Sequence, residues 1–328
     1  MVLVLGLFSS LILRPSNFFS FCQCESGCSR CRVNLSDQMY ERREVRLNPC
    51  LLIVTAVFIL ATAAFVPLSI KGYINIPTHC SEFRLNDPYI SWPYHKEQVK
   101  HTKELVVFGM FLLICLLMFS FLKPSSVNQV IVNLGDRLWY IIDIKLFRLF
   151  YVGYYLLLGY LMCLVFLGFV KHSAGELRPC FLAVCQPNMT MVEDLAQGQD
   201  PLKVLLTKEV CINQNVDYFC MSFFSGHTLS AFYAASSCCL LLYFMDFHKR
   251  QRLFSLRFLL GMLLLSASSW VALTRLQDHF HHVIDVTVAG LLGVLVPIFL
   301  LYSPLHSFKE EDLGNKCGEI GPLLAGSS

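Results

Sequence analysis

Apolar residues run in long blocks along this chain, and the blocks decide the fold class before any single residue does. Six approach or exceed the roughly 20 helical residues that cross a hydrocarbon core: Leu51–Ile70, Leu105–Leu122, Phe150–Val170, Leu229–Phe244, Phe254–Leu273 and Val283–Tyr302. Each is bounded by charges, Pro or Gly, and the fourth reaches a normal length when extended back to Gly226. In lipid every backbone polar group must be satisfied within its own segment, so such blocks predict helices. The expected fold is all-α: a polytopic membrane protein with six transmembrane helices over residues 51–302. Residues 1–50 form an unassigned cytoplasmic segment. The tail 303–328, polar with Gly and acidic residues, is expected to lack fixed structure. The apolar run Met1–Leu13 is short for a span and lacks the basic start and cleavage site of a signal peptide.

Composition agrees. Of 328 residues 55% are hydrophobic and 15% charged, against roughly 25% charged in soluble domains. A net charge of +3 without blocks of like charge gives no reason to expect nucleic acid as a partner. Lys and Arg then set the orientation. Arg30, Arg32, Arg42, Arg43 and Arg46 precede the first span, and Lys249, Arg250, Arg252 and Arg257 follow the fourth. Lys123, Arg137 and Lys145 lie between the second and third. With these segments and both termini cytoplasmic, the loop 171–224 faces the lumen or the exterior. It carries the sequon Asn188-Met189-Thr190, so Asn188 is a glycosylation candidate. The membrane is the plasma membrane or that of the endoplasmic reticulum or Golgi.

Three polar clusters fall on that outer face by parity: Lys171 to Pro179 after the third span, Ser225-Gly226-His227 at the start of the fourth, and Thr274 to Asp285 between the fifth and sixth. Each has a structural explanation of its own. Lys171 and Arg178 suit snorkelling cations, Ser225 suits a helix N-cap, and the His-rich turn suits a metal. A zinc ion needs three or four converging ligands. His281 and His282 are adjacent and point to different helix faces, whereas only His281 and Asp285, at i and i+4, share one. No metal or other cofactor is therefore expected. Asp285, one turn inside a membrane helix, is costly unless it serves function.

Together the clusters suit phosphoryl transfer. The transition state spreads negative charge over three oxygens, which demands positioned cations and N–H donors. Lys171, Arg178 and Arg275 supply cations, and the helix start at Ser225 and Gly226 supplies donors and a positive dipole end. Asp285 can hold Nδ1–H of His281 and leave Nε2 to attack. His227 can protonate the leaving alkoxide.

The pattern Lys171-x6-Arg178-Pro179, Ser225-Gly226-His227, Arg275-x5-His281-x3-Asp285 resembles the three-part signature of the type-2 phosphatidic acid phosphatase superfamily. Within it, the six spans and the stretch Cys80 to Tyr94 look closest to the lipid phosphate phosphatases. The resemblance implies a phosphorylated His281 supported by Asp285, proton donation by His227, and a phosphate cradle of Lys171, Arg178, Ser225, Gly226 and Arg275 without divalent metal. It also implies phospholipid and sphingolipid phosphates as substrates: phosphatidate, lysophosphatidate, ceramide 1-phosphate and sphingosine 1-phosphate. Phe224 stands where many members have Pro and Thr274 where most have Ser; neither replaces a charged group or an imidazole.

Cys180, Cys185, Cys211 and Cys220 fall in the outer loop, where oxidation is permitted. Three full pairings are open, and Cys185 with Cys211 is our expectation among them. Cys22, Cys24, Cys28 and Cys31 suit palmitoylation or reduced thiols better than a zinc knuckle. A six-helix transporter is the rival from another class, but it would place ionisable groups near the midplane. A non-catalytic lipid-binding scaffold is the second rival, and such a relative would be expected to lose His227, His281 or Asp285. A homo-oligomer is compatible with the sequence.

Overall fold

A computed structural model describes residues 42–47, 53–58, 60–61, 79–99, 101–123, 125, 128–134, 139–213, 215–245 and 251–318. The first expected span lies largely outside them, as does the cluster Cys22 to Cys31; residues 53–58 and 60–61 of that span are helical. The elements run β1 (Arg42–Leu47), α1 (His101–Leu122), β2 (Gln129–Leu134), β3 (Trp139–Asp143), α2 (Ile144–Ala174), α3 (Phe181–Cys185), α4 (Met189–Ala196), α5 (Gly226–Phe244), α6 (Gln251–Gln277) and α7 (Val283–Gly318). Among the described residues four stretches are long and apolar enough to cross a membrane: Ile144–Ala174, Gly226–Phe244, Ser255–Gln277 and Val283–Tyr302. Val106–Leu122 is a shorter apolar helix.

Helix α5 is the hub. Its crossing stretch is 72% buried, against 17–28% in the other three, and it packs on α1, α2, α6 and α7. Its sequence explains this, because Gly226, Ala231, Ala234, Ala235, Ser236 and Ser237 let neighbouring backbones approach. The closest crossing is with α7 at Gly293, where an added Cβ would lie 2.8 Å from Phe232 Cβ and 2.9 Å from the Leu229 carbonyl oxygen. One turn on, Pro297 has no N–H for the Gly293 carbonyl. Ser236 Oγ lies 2.8 Å from that oxygen, so a hydroxyl from α5 compensates.

Cations close the far end of α5. Lys123 Nζ donates to the Phe244 carbonyl at 3.0 Å and Arg257 Nη1 to that of Met245 at 2.9 Å. These are the last carbonyls of the helix, where positive charge is favoured. Arg148, fully buried at the start of α2, donates to the Lys123 carbonyl at 2.7 Å.

Two expectations need correction. The fold is mostly but not wholly α, because β1, β2 and β3 form a sheet in that order. β1 runs parallel to β2 with Arg42 opposite Gln129, and β2 runs antiparallel to β3 with Gln129 opposite Asp143. Val130 and Val132 are buried with Ile131 between them half-buried, the alternation of a one-sided strand. β3 leads straight into α2, so the sheet lies at the end of α2 opposite Lys171. The second concerns residues 303–318 of the tail, which continue α7 to Gly318; residues 319–328 lie outside the described ones. Leu305 and Phe308, one turn apart, bury against Phe119 and Phe147 and anchor the extension.

Between α2 and α5 the long loop forms a small core of its own. Leu177, Phe181, Val192, Leu206 and Val210 pack with Phe83 and Ile90 from the segment 79–99. That segment is a strap. Phe83 exchanges two backbone hydrogen bonds with Leu206, and Ser81 N donates to the Gly175 carbonyl at 3.0 Å. Gly175 caps α2 at φ 61°, and an added Cβ would lie 2.6 Å from the His79 carbonyl oxygen. Only glycine combines that backbone with so close an approach.

Candidate active site

The end of α2, the start of α5 and the α6–α7 turn meet beneath the strap. α2 has 31 residues, about 46 Å at 1.5 Å per residue, so Lys171 near its end lies far from β3. Lys171 Nζ donates to the main-chain carbonyl of Met221 at 2.8 Å. Arg178 points at the same carbonyl, 3.5 Å from Nη2, and donates through Nε to Tyr218 at 3.1 Å and through Nη1 to Phe280 at 3.4 Å. Its guanidinium also lies over the Tyr218 ring, 4.0 Å from the centroid. A planar fork that bonds and stacks at once is a property of Arg and not of Lys.

The next residue, Ser222, joins this corner to the α6–α7 turn. Its Oγ donates to Asp285 Oδ2 at 2.5 Å. The same oxygen accepts from the His282 backbone N–H at 2.9 Å and lies 3.4 Å from His281 Nδ1. His281 and Asp285 approach each other, but not as two residues on one face of a helix. α7 begins at Val283, so His281 and His282 precede it. Asp285 reaches back from the third helical position, as the acid of a capping box does. Both imidazoles consequently flank one carboxylate, with His282 Nδ1 at 3.6 Å.

The two imidazoles are shifted in opposite directions. Burial drives the His281 imidazole down to about 3; Asp285 opposes this, and the charges of Arg178 and Lys171 add to it. His281 is therefore neutral near pH 7. Burial also disfavours charge on His282, but Asp285, the Tyr89 carbonyl and Glu176 outweigh it and raise its pKa. Glu176 Oε1 lies 3.4 Å from His282 Nδ1, and burial together with the Asp285 charge raises the Glu176 carboxyl. Ligand atoms of Glu176, His282 and Asp285 lie within 4.8 Å of one another, close enough for a cation. Asp285 Oδ2 accepts from Ser222 and His282.

Ser225 is the N-cap of α5, with Oγ accepting from Thr228 N at 3.4 Å. Its own N–H donates to the Asp285 carbonyl at 3.2 Å, tying the starts of α5 and α7 together. A Cβ at Gly226 would approach Leu167 of α2 at 3.1 Å, so helix packing also favours a small residue there. His227 turns toward α1, its Nε2 4.0 Å from Glu104 Oε2.

Arg275 is fully buried and faces carboxylates. It bonds Asp278 Oδ2 at 3.1 Å and lies 3.8 Å from Glu97 of the strap. Asp278 also accepts from Gln98 N at 2.9 Å. The Pro93 carbonyl meets His279 Nδ1 at 2.8 Å and the Tyr89 carbonyl meets His282 Nε2 at 3.1 Å. The strap's role carried no sequence signal beyond the likeness of residues 80–94 to a family loop. Ser222, Glu176 and Glu104 carried none.

Cys185 and Cys211 are disulfide-bonded. Cys220 does not pair within the loop; it joins Cys80 of the strap, and Cys180 is a buried free thiol. Burial pushes that thiol up to about 11. Asn188 lies at the N-cap of α4, its Oδ1 accepting from Thr190 N at 3.1 Å.

A profile of the PAP2 superfamily matches residues 148–308, which include every one of the signature residues. Diacylglycerol pyrophosphate phosphatase 1 of Saccharomyces cerevisiae is 31% identical over 231 residues, 66% of this chain and 68% of the relative. The chain belongs to the PAP2 superfamily. Phospholipid phosphatase 2 of Bos taurus is 29% identical over 266 residues, 77% of this chain and 86% of that protein. Phospholipid phosphatase 1 of Mus musculus is 30% identical over 149 residues, 43% and 49% of the two. No solved structure matches. The superfamily signature is thus set on one end of the helix bundle, with His281, Asp285, Lys171 and Arg178 clustered around Met221 and Ser222.

Proposed function

We propose that this PAP2 protein is a metal-independent lipid phosphate phosphatase. Its substrates are phosphatidate and related monoesters: lysophosphatidate, ceramide 1-phosphate and sphingosine 1-phosphate. The observation that carries the reading is the 3.4 Å approach of Asp285 Oδ2 to His281 Nδ1, which leaves Nε2 of a neutral imidazole as the nucleophile. Relatives named phospholipid phosphatases support the substrate class.

In the first step His281 Nε2 forms a bond to phosphorus while the bond from phosphorus to the lipid oxygen breaks. The electron pair leaves with that oxygen, which takes a proton from His227. Asp285 stabilises the positive ring of phosphohistidine. Lys171, Arg178 and Arg275 and the start of α5 offset the charge on the transferred group. Water, deprotonated by His227, then attacks phosphorus, breaks the P–N bond and releases inorganic phosphate. Binding a phosphate at Arg275 requires it to share or exchange its contacts with Glu97 and Asp278. The two disulfides and the sequon support a luminal or extracellular site.

The test is phosphate release from the four lipids in detergent micelles with excess EDTA, for wild type, His281→Ala and His227→Ala. Activity that survives chelation and is lost in both variants is expected. A wild-type protein inert on every lipid phosphate would favour the scaffold reading, and activity abolished by EDTA would overturn metal independence.

A further inference from the structure

Glu104 lies in the first turn of α1, outside the superfamily match and outside all three motifs. Its side chain is 1% exposed and that of His227 12%. The pair is formed between two different helices, α1 and α5, which pack directly on each other. A buried carboxyl at the boundary of an apolar helix is costly, and packing alone would be served better by Leu. Its Oε2 is 4.0 Å from His227 Nε2. His281 and His227 thus each have a carboxylate nearby, of different construction: Asp285 lies four residues beyond His281 on one chain segment, whereas Glu104 approaches His227 across a helix interface.

We propose that Glu104 is the positioning residue for His227, fixing the ring and favouring the protonated form that donates to the leaving oxygen. The inference rests on the reading of His227 as the general acid. A carboxylate beside an imidazole stabilises the imidazolium, and an acid must be both charged and aimed at the moment the P–O bond breaks. Glu104 touches neither substrate nor reacting atoms; its effect passes entirely through His227.

A role in leaving-group protonation has a signature that a merely structural role lacks. An alkoxide leaving from phosphatidate needs the proton, whereas p-nitrophenolate leaves without it. Glu104→Gln, nearly isosteric, should lower kcat on phosphatidate by about 10–100-fold, the lower part of the range a general acid supplies. KM should change by less than about threefold, as for a transition-state interaction. On both substrates the rate of phosphohistidine formation is compared, which excludes the later water step that also uses His227; with p-nitrophenyl phosphate it should fall by less than about threefold. In a His227→Ala background Glu104→Gln should have no further effect on phosphatidate, because residues acting as a unit are not additive. Glu104→Asp should recover part of the loss.

Equal losses on both substrates, or losses that add to those of His227→Ala, would overturn the proposal. So would a Glu104→Gln enzyme as fast as wild type on phosphatidate. If His227→Ala itself shows no preference for the better leaving group, the acid assignment falls and this inference with it. If His227→Ala shows that preference and Glu104→Gln does not, the function stands and only the role of Glu104 is wrong. Melting in detergent, measured alongside, separates slow enzyme from unfolded enzyme.

Discussion

Cys80 and Cys220 are joined across 140 residues, and their bond fastens the strap beside the corner formed by Arg178 and Met221. Cys220 closes the short 3₁₀ turn that carries Tyr218, the ring beneath Arg178. For a free chain, closing a loop of that length stabilises by roughly 5 kcal/mol. Here the figure is an upper bound, because α1 and α2 lie inside the loop and are already confined by the bundle. Cys80→Ser should lower the melting midpoint in detergent and, by freeing the strap, weaken phosphatidate turnover. Reductant should move wild type toward the variant. Identical midpoints under oxidising conditions would show that the backbone bonds of the strap suffice without the disulfide.

Asp285 Oδ2 lies 3.4 Å from His281 Nδ1, caps its own helix and receives the Ser222 hydroxyl. Asp285→Asn keeps the size but removes the charge and disturbs the His281 tautomer. We expect kcat on phosphatidate to fall by about 10²–10⁴-fold, comparable to such changes in histidine–carboxylate pairs generally. Acid-quenched enzyme should show correspondingly less phosphohistidine early in turnover. Ser222→Ala should have a smaller effect in the same direction. An Asp285→Asn enzyme within about threefold of wild type would remove Asp285 from the mechanism.

The two histidines beside Asp285 should give stability of opposite pH dependence. His281 binds its proton at about 3 when folded and near 6.5 when unfolded. Between those values the unfolded chain holds more protons, so stability falls as pH drops through that window. His282 has a raised folded value. Its contribution is complete below about 6.5 and is lost as pH rises through the folded pKa. In melting scans from pH 4 to pH 8, His281→Asn should flatten the acid side, and His282→Asn should flatten the side above 6.5. A His281→Asn variant with the wild-type acid slope would show that this imidazole is not buried in its neutral form.

The membrane class and the three motifs were legible because both depend on local pattern. Apolar blocks report lipid, and parity alone brought Lys171, His227 and His281 to one end. What was not legible depended on distance in space or on boundaries. Glu104 reads as one more charge flanking a span until α1 packs on α5. His282 seemed to face away from His281 because the helix was expected to include both, whereas it starts one residue later. The pairing of Cys220 was sought inside its own loop, but its partner lies in the strap. The Val130-Ile131-Val132 alternation is a strand signal, overlooked between two apolar blocks read as helices. Similarly, the polar tail hid two apolar anchors, Leu305 and Phe308, one helical turn apart.

Arg178 should not tolerate its usual conservative replacement. Its three nitrogens address the carbonyls of Tyr218, Phe280 and Met221 while the plane rests on the Tyr218 ring. Lysine provides one point charge and no plane, so those carbonyls lose partners inside a buried corner. Arg178→Lys should reduce kcat/KM by at least about tenfold and lower the melting midpoint. Tyr218→Leu, which keeps the backbone carbonyl and removes the ring, should cause a smaller loss, since an exposed cation–π contact contributes about 0.5–1 kcal/mol. If Arg178→Lys behaves like wild type in both assays, the fork geometry is incidental and charge alone suffices.

Asn188 tests the orientation of the whole molecule. Its Oδ1 caps α4 by accepting from Thr190 N at 3.1 Å and from Thr190 Oγ1 at 2.6 Å. A glycan would attach through Nδ2 and leave that oxygen in place, so modification and capping are compatible. Asn188→Gln would remove both the glycan and the cap, the latter at a cost of about 1 kcal/mol. Thr190→Ala is cleaner, because it destroys the sequon while the Asn188 cap to the Thr190 backbone survives. In protein from eukaryotic cells we expect an endoglycosidase-sensitive band for wild type that is absent in Thr190→Ala, with phosphatase activity kept within about twofold. Insensitive wild-type protein, together with glycosylation of a sequon engineered at residues 246–250, would place loop 171–224 and the site on the cytoplasmic side. The positive-inside assignment would then be reversed.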